Sequence, residues 1–526
     1  MSSPVDPSAS SGLGDPGPSA PSAMTESEAA VLPTPKCPPD SICFQCNPPQ
    51  WLQTLRADIP ECPERFRMAS PCVGLDAGYR ASKALCVPYK PACVYDKELG
   101  LLEGLKDLYP FDPKDVDADV HLGFQSGDIT RFEVATIFAE GKKVDGLFSG
   151  PPCPPVSSIG KRAVEKDSRA AVFQHVIAMI LQQIETNPDF AFFVLENPLG
   201  IEKRKRGDDH SMADAVMQEL TTQINEKGGK EWGIELRRRD LVSAGPPMAR
   251  PRSFIIGCSP RMRSTPLQRD LLQAPYLEFP REDLLGYLQH IDSPADYEAL
   301  TLRAQTNVMQ YREEYYSLLA SGKIPAECKF VTVDAYRDPN KKFASDLVKN
   351  QLATLRTNHW AVWLIPCPAL QHVFGMFGRH VTSLEKCRLL GICPLTVKNM
   401  DSEQLNTALG NCIAIPSAAS VLCPLFAAWA LMKRDTISQA FFSQHDSDDD
   451  DHDNSDSKDS DEADDEGAVV DSTFDSQETN FFDADVSEIE RALIDADVSQ
   501  IILGAFADSQ RVDSSPPPSP VFDKAE

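Results

Sequence analysis

A cysteine on a proline-rich turn is the first feature of this sequence that could do chemistry. Residues 144–149 (VDGLFS) form an apolar run that predicts a buried strand, and GPPCPP (150–155) follows it directly. Prolines stiffen such a turn, and a cysteine at a strand end is well placed to attack a ligand as a thiolate. Taken alone, a proline-rich loop with an inert buried Cys153 explains these residues equally well.

A carboxylate and two arginines accompany two further predicted strands. Glu196 follows FAFFVL (190–195), and Arg250 and Arg252 precede SFIIGC (253–258). A carboxylate that leaves so apolar a strand must be paired, hydrogen-bonded or functional. The arginines could bind phosphate or an acidic partner. An ion pair for Glu196 and a surface position for the arginines are the structural alternatives.

The elements that position these residues are predicted by hydrophobic spacing. Between the first two strands, apolar residues from Val172 to Ile184 recur with helical periodicity. Strand, helix and strand in this order form a βαβ unit, which indicates a parallel sheet. Ligands of such sheets bind beyond the carboxyl ends of the strands, where Cys153 and Glu196 are expected.

The negative charge of the chain is concentrated in its last residues. Residues 446–466 contain 13 acidic residues and one lysine, and residues 467–526 contain 13 acidic and three basic residues. Of the total net charge of −27, only about −5 remains for residues 1–445. The body of the chain can therefore carry a local basic face, and the acidic total does not exclude a nucleic-acid enzyme.

The sequence predicts neither a membrane span nor a secretory signal. No uninterrupted apolar run approaches the roughly 18–20 residues that span a bilayer. The first residues, rich in proline and serine, lack the charged and apolar regions of a signal peptide. We therefore expect a cytosolic or nuclear protein whose cysteines stay reduced, with no membrane partner.

Together, the cysteine, glutamate and arginine groups resemble conserved blocks of the cytosine-5 DNA methyltransferase family. Residues 379–394 (RHVTSLEKCRLLGICP) look like that family's R-x-L-T-x-x-E-x-x-R-L-x-G-F-P block. Residues 409–416 (LGNCIAIP) are similar to its G-N-S-V-x-x-P block. The resemblance covers five blocks in the family's order across roughly residues 70–430. It implies an α/β fold, with a Rossmann-like class I methyltransferase sheet, a smaller target-recognition lobe, and disordered N- and C-terminal tails.

The resemblance also assigns chemistry. Cys153 would add to C6 of cytosine, so that C5 can accept a methyl group from S-adenosylmethionine. Glu196 would contact N3 and the exocyclic amine, while Arg252 and Arg250 would bind the base carbonyl and hold the catalytic loop. The target base would be flipped out of double-stranded DNA into the active site. We expect the enzyme to be nuclear.

The cofactor pocket is implied by a less regular match. Residues 68–79 (MASPCVGLDAGY) take the place of the family's F-x-G-x-G-G block, with Leu75 and Ala77 where glycines are expected. Such replacements could crowd the cofactor. Asp96 is the best ribose-binding acid, with Glu98 as the fallback. The implied cofactor-binding residues are Gly74, Asp76, Ala77, Gly78, Asp96, Asp128, Ile129, Pro151 and Asn411.

Three further departures from the family's blocks concern loop geometry and cofactor affinity. Pro154 and Met248 replace glutamines, and Cys412 replaces a serine. None of the three removes a group that makes or breaks bonds in the implied reaction.

Composition and blocks divide the chain into six predicted parts. They are a disordered arm (1–35), a cysteine-containing extension (36–66), a catalytic core (67–258), a target-recognition region (259–378), the end of the core (379–434) and an acidic, mostly disordered tail (443–526). The tail contains a repeat, DADVSEI and DADVSQI, that suits a helix folding on a protein partner.

Some features stay open at this point. Tyr311, Tyr315, Tyr316, Trp360 and Trp363 could stack bases, although core packing suits most of them better. The basic runs 203–206 and 237–239 could meet phosphates or form a solvated face, and the first also resembles a nuclear localisation signal.

The first cysteines of the chain leave a metal site undecided. Cys37, Cys43, Cys46 and Cys62 have the spacing C-x5-C-x2-C-x15-C, and four thiolates could hold zinc. The spacing is irregular and contains one C-x2-C pair, so scattered reduced cysteines are the default. We assign no metal ligand from the sequence.

Three functions compete. The first is a DNA cytosine-5 methyltransferase, which we favour because most of the family acts on DNA. The second is a tRNA methyltransferase of the branch that keeps PPC, and the third is a methyltransferase-like binding protein that has lost turnover. The irregular glycine block favours the third function, whereas Cys153, Glu196 and Arg252 oppose it.

Overall fold

The computed structural model describes residues 42–445 apart from a set of gaps. The gaps are 45, 58, 63, 98–123, 127–128, 135–137, 139–142, 153–167, 205–208, 228–230, 277, 289–296, 342–344, 348–351, 353–354 and 356–361. The predicted arm, nearly all of the acidic tail, Cys153 and Asp128 therefore lie outside the described residues.

Seven strands form the central sheet. They are β1 (Phe66–Pro71), β2 (Tyr89–Asp96), β3 (Phe124–Ser126), β4 (Gly146–Ser149), β5 (Phe192–Pro198), β6 (Gly233–Arg239) and β7 (Arg252–Cys258). Their order is β3-β2-β1-β4-β5-β7-β6. Neighbours from β3 to β5 pair in parallel, whereas β7 runs antiparallel to both β5 and β6. This arrangement fits the predicted class I methyltransferase sheet.

A second, three-stranded antiparallel sheet has two strands in the predicted target-recognition region and its third at the start of the following part of the core. It has the order β10-β9-β8 and consists of β8 (Phe330–Asp334), β9 (Val362–Pro366) and β10 (Arg379–His380).

Ten α-helices are found among the described residues. They are α1 (Gln50–Ala57), α2 (Ala77–Ala84), α3 (Ser168–Thr186), α4 (Met212–Glu226), α5 (Pro266–Gln273), α6 (Leu302–Ala320), α7 (Gln371–Phe374), α8 (Ser383–Leu389), α9 (Ser402–Asn411) and α10 (Ile415–His445).

The strands predicted from apolar runs are confirmed as β4, β5 and β7, and the predicted helix is α3. In β5, Phe192 and Val194 pack into one hydrophobic core, and Phe193 and Leu195 pack into the other. A strand covered on both faces is apolar at every position rather than at every second one. This double burial explains why the β5 sequence reads as an unbroken run.

The longest helix, α10, is long and apolar enough to cross a membrane by length and composition alone. Of the tested window, 89% is buried within the fold. Phe426 and Trp429 of α10 both pack edge-on against Phe66 of β1. The apolar surface of this helix therefore contacts the central sheet.

Most aromatic residues of the recognition region are core residues, as the sequence favoured. Tyr311, Tyr315 and Trp363 are fully buried. The Tyr315 hydroxyl donates to the Cys328 carbonyl (2.8 Å), and Trp363 Nε1 donates to the Phe377 carbonyl (2.6 Å). These side chains join α6 to the small sheet and cannot stack on a base without leaving it.

An enclosed carboxylate fixes the amino-terminal ends of the central strands. Asp145, just before β4, is fully buried and accepts from Arg67 of β1 in a two-pronged contact, with distances of 2.8 and 2.9 Å. The backbone amide of Arg67 donates to the same carboxylate (2.8 Å), and Lys433 of α10 lies 3.6 Å away. A buried charge is tolerated when its oxygens are satisfied in this way.

We predict that Asp145→Ala lowers the free energy of unfolding by about 3 kcal/mol, because it removes the carboxylate that pairs with Arg67, whereas Lys433 keeps its ion pair with Glu64 (2.9 Å). Urea denaturation of both proteins measures the difference. The control is Glu185→Ala, which removes an exposed pair with Lys227 and should cost less than about 1 kcal/mol. Equal losses in the two variants would contradict the prediction.

Candidate active site

Glu196 and Arg252 meet at the carboxyl-terminal end of β5. Arg252 Nε lies 2.6 Å from Glu196 Oε1, and both side chains are almost enclosed by protein. The β5–β7 register brings them together, because Pro198 pairs with Arg252 across the two antiparallel strands. The two residues predicted to surround the base are therefore neighbours, although 56 positions separate them in the sequence.

The strand that leads to Cys153 ends against the same carboxylate. Gly150 follows β4, and a Cβ added there would lie 3.2 Å from Glu196 Oε2 and 3.1 Å from the Ile413 side chain. Pro151 is buried and Pro152 is partly buried, while Cys153 begins the undescribed range 153–167. Glu196 thus has one oxygen on Arg252 and the other facing the start of the proline turn.

Arg250 is a fully buried guanidinium that binds main-chain carbonyls. Its terminal nitrogens donate to Leu355 (3.1 Å), to Gly410 (3.0 Å) and to Cys412. Burial, together with repulsion from Arg252, lowers the pKa of Arg250 to about 9. This geometry fits the holding role predicted for Arg250, and its contact with the base stays a prediction.

The carboxyl group of Glu196 is more easily protonated than an ordinary glutamate. Burial raises its pKa, and the positive charges of Arg252 and Arg250 offset only part of this shift. A carboxyl that holds its proton can donate to a ring nitrogen, whereas an ionised one can only accept. Burial therefore favours the protonated form of Glu196 more than exposure to solvent would.

The loop between β1 and α2 has an unusual backbone. Cys72, Gly74 and Asp76 all have positive φ angles, of 56°, 54° and 46°. The Gly74 amide donates to the Asp96 carboxylate at the end of β2 (2.8 Å), and no atom of the residues that the structure describes lies within 4 Å of a Cβ added to Gly74. Open space at Gly74 beside an acid on the neighbouring strand fits a ribose-bearing cofactor.

Two residues of the irregular glycine block belong to the core. Leu75 and Ala77, which stand where glycines were expected, are buried in the hydrophobic core. A Cβ on Gly78 would lie 2.8 Å from Met68 and 3.4 Å from Phe148, so this glycine lets α2 approach the sheet closely. The side chains of Leu75 and Ala77 thus pack into the protein, and their effect on cofactor binding stays a prediction.

The remaining predicted cofactor residues have mixed positions. The Asp76 carboxylate caps α2 by accepting from the Tyr79 amide (3.0 Å), and Ile129 is a core residue in a short 3₁₀ helix. Asn411 ends α9 and is exposed, and Asp128 lies outside the described residues. Direct cofactor contacts of these residues stay predictions.

The R-x-x-T-x-x-E segment at residues 379–385 is structural. Arg379 and Glu385 form a buried two-pronged ion pair of 2.7 and 2.9 Å, and Thr382 caps α8 by accepting from the Glu385 amide (3.2 Å). This capping box starts α8 and ties it to β10. The block therefore supports the site without contributing a reactive group.

Two polar residues of the site were missed from the sequence. Asn197 is buried, and its side-chain amide has no hydrogen-bond partner among the residues that the structure describes. Arg80 of α2 is fully buried and donates to the Leu75 carbonyl (2.6 Å) and the Thr396 hydroxyl (2.6 Å). Only the position of Asn197 beside Glu196 could have suggested its importance, and no pattern marked Arg80.

The basic run 237–239 does not form a phosphate-binding face as a whole. Arg237 and Arg239 both lie over the ring of Tyr276, and Arg239 is buried. Arg238 is exposed and pairs with Glu202. In the described part of the other run, Lys203 and Arg204 are exposed, five and six residues beyond Pro198, where β5 ends.

A family model described as C-5 cytosine-specific DNA methylase matches residues 119–362, a range that contains Glu196, Arg250 and Arg252. This part of the chain is similar to the cytosine-5 DNA methyltransferase family. Members of that family use S-adenosylmethionine as the methyl donor.

One curated relative is the Type II methyltransferase M.DdeI of Desulfomicrobium norvegicum, which is 30% identical over 148 residues. The match covers 28% of this chain and 32% of that protein, so the chain matches about a third of its relative.

Solved structures with a similar fold include the Dnmt2 methyltransferase of S. pombe and the methyltransferase EhMeth of Entamoeba histolytica. Each is 12% identical to this chain and covers 69% of it, and 98% of each solved chain is matched. The TM-scores are 0.43 and 0.41.

We predict an unusual pH dependence from Glu196. Because the folded-state pKa of Glu196 is raised, its contribution to stability is complete below the ordinary glutamate pKa and is lost as pH rises through the raised value. Wild type and Glu196→Gln are unfolded with urea between about pH 5 and about pH 8. The wild-type free energy of unfolding should fall relative to the variant as pH rises. A relative increase would mean that the Arg252 pair outweighs burial.

We predict that Asp96→Ala weakens binding of S-adenosylmethionine by about tenfold or more, because a hydrogen bond to a charged group contributes about 1.5–3 kcal/mol. Asp96→Asn should have a smaller effect, since its amide oxygen can still accept from Gly74. Titration calorimetry measures the dissociation constants. The control is Asp270→Ala on the exposed face of α5. Unchanged affinity in Asp96→Ala would remove Asp96 from the cofactor site.

Proposed function

We propose that the chain methylates carbon 5 of cytosine in DNA through a covalent Cys153 adduct. The observation that supports this function most directly is the Glu196–Arg252 pair held against Gly150, three residues before the cysteine. A nucleophile, a proton donor and a fixed cation are the groups that this reaction needs at one end of the sheet.

In the first step, the Cys153 thiolate adds to C6 of the flipped-out base, forming the S–C6 bond. Electrons move from the C5–C6 double bond toward N3, where charge would build. Protonated Glu196 donates its proton to N3, and its raised pKa makes the protonated form available for this step. C5 becomes the nucleophilic carbon of an enamine.

Arg252 has two tasks in this scheme. Its Nε binds Glu196 Oε1 and fixes the carboxyl group in place. Its guanidinium can also donate toward the base carbonyl as negative charge develops there, a form of electrostatic stabilisation that a preorganised cation provides well. Arg250 positions the start of β7 by donating to the carbonyls of Leu355 and Gly410.

S-adenosylmethionine, when bound, supplies the methyl group that C5 takes. A base then removes the C5 proton, the S–C6 bond breaks, and the thiolate of Cys153 leaves as the double bond re-forms. The N3 proton returns to Glu196. The enzyme is restored, and 5-methylcytosine is the product.

DNA is the favoured substrate because the matched family model is described as a DNA methylase and the curated relative is a Type II methyltransferase. Exposed Lys203 and Arg204 follow β5 on the edge that carries Glu196, where a phosphate backbone would pass. We propose a nuclear location, and a protein partner for the acidic tail, on the sequence alone.

The first experiment is covalent trapping. Duplex DNA and tRNA that contain 5-fluorocytosine are each incubated with the full chain and S-adenosylmethionine. Fluorine at C5 blocks the final elimination, so the enzyme should stay attached through Cys153 in a denaturation-resistant adduct with DNA. Cys153→Ala should form no adduct, and the exposed-cysteine control Cys86→Ala should form it normally.

Each other outcome has a defined meaning. An adduct with tRNA alone moves the protein to the RNA branch, and RNA becomes its partner. Failure with both substrates despite cofactor binding points to a methyltransferase-like binding protein. If neither an adduct nor binding of S-adenosylmethionine is observed, the proposed methyltransferase activity is wrong.

A further inference from the structure

Three cysteine sulfurs from distant parts of the chain converge on one point. The Sγ atoms of Cys43, Cys46 and Cys393 all lie within 4.8 Å of one another. Cys43 and Cys393 are each only 2% exposed, and Cys46 is partly buried. The cluster joins residues near the two ends of the described chain, since 347 positions separate Cys46 from Cys393.

The sulfur spacing matches a tetrahedral metal site. Zinc–sulfur bonds of about 2.3 Å at tetrahedral angles place neighbouring sulfurs about 3.8 Å apart. The Cys46 and Cys393 Sγ atoms are 3.7 Å apart, whereas disulfide sulfurs are separated by about 2.05 Å. The measured distance therefore fits two ligands of one ion and not a covalent bond.

The first two cysteines lie on a tight backbone turn. Cys43 and Asn47 exchange both main-chain hydrogen bonds, with distances of 3.2 and 2.8 Å. Inside the turn, the Cys46 amide donates to Cys43 Sγ (3.4 Å). An amide aimed at sulfur stabilises the thiolate form, which is the form that binds metals.

The neighbouring residues anchor this turn in the core. Phe44 is fully buried and packs edge-on against Trp51 of α1. A Cβ on Gly391 would lie 3.4 Å from the Phe44 ring, so the segment that carries Cys393 passes close to the turn. Gly391 has a φ of 78°, which lets the chain reverse after α8 and brings Cys393 to the cluster.

We propose that Cys43, Cys46 and Cys393 bind a structural zinc ion. Three thiolates are a soft donor set that selects zinc over magnesium or calcium, and burial of two of them suits a closed structural site. The three thiols alone carry the proposal, because residues before Ile42 lie outside the described residues. Cys62, which the sequence had grouped with Cys43 and Cys46, is not part of the cluster.

The ion would connect the amino-terminal segment to the cofactor side of the core. Thr396 lies three residues after Cys393, and its hydroxyl accepts from Arg80 of α2. The same Arg80 holds the Leu75 carbonyl in the loop beside Gly74. Zinc would therefore stabilise the loop that borders the cofactor space while remaining outside the chemistry. This inference does not depend on the proposed function.

The test is the zinc content of the full chain, purified without chelators and measured by plasma mass spectrometry. We expect about one zinc per chain in the wild type. Cys43→Ser/Cys46→Ser and Cys393→Ser should each lose it. Cys62→Ser and Cys86→Ser are matched controls that should keep it. Cys393 lies 347 positions from Cys46. Zinc loss in Cys393→Ser would therefore show that these two distant segments bind the same ion.

A second measurement covers variants that fail to fold. Cobalt(II) replaces zinc in the wild-type chain, and three thiolates at a tetrahedral ion should give intense thiolate-to-cobalt absorption that disappears when zinc is added. Folded wild-type protein without zinc and without this absorption would overturn the proposal. Zinc retained in Cys393→Ser, or a Cys46–Cys393 disulfide in metal-free folded protein, would overturn it as well.

Discussion

The carboxyl-terminal end of β5, where Glu196 meets Arg252, depends on the buried guanidinium of Arg250. Arg250 is surrounded by protein and binds the carbonyls of Leu355, Gly410 and Cys412, which come from two distant segments of the chain. A buried cation is costly unless its donors are used, so these contacts fix where β7 begins. The position of β7 in turn determines where Arg252 meets Glu196. Residues 250–252 therefore contribute both to the packing of the sheet and to the candidate active site.

Apolar runs and resemblance predicted the central sheet well. Strands β4, β5 and β7 are covered on both faces, so their burial appears directly in the sequence as unbroken apolar runs. The sequence left open whether Glu196 forms an ion pair or has a function, and the structure supplies Arg252 as its partner. The geometry fits both descriptions, since a paired carboxyl with a raised pKa can also transfer a proton.

Other parts of the site could not be predicted, because they depend on tertiary contacts without a local pattern. The directions of Leu75 and Ala77 follow from a loop with positive φ angles, and spacing alone suggested crowding. Cys393 joins Cys43 only because a chain reversal at Gly391 brings distant residues together. A basic run likewise has no fixed meaning, since Arg237 and Arg239 lie against Tyr276.

Helix α10 packs against the central sheet and follows the direction of its strands. It begins near the carboxyl-terminal end of β4, where Ile413 approaches Gly150. Further along the helix, Lys433 contacts Asp145, just before the amino-terminal end of β4. At 1.5 Å per residue, the 18 steps from Ile415 to Lys433 cover about 27 Å. The acidic segment after His445 is thus attached to the far side of the sheet.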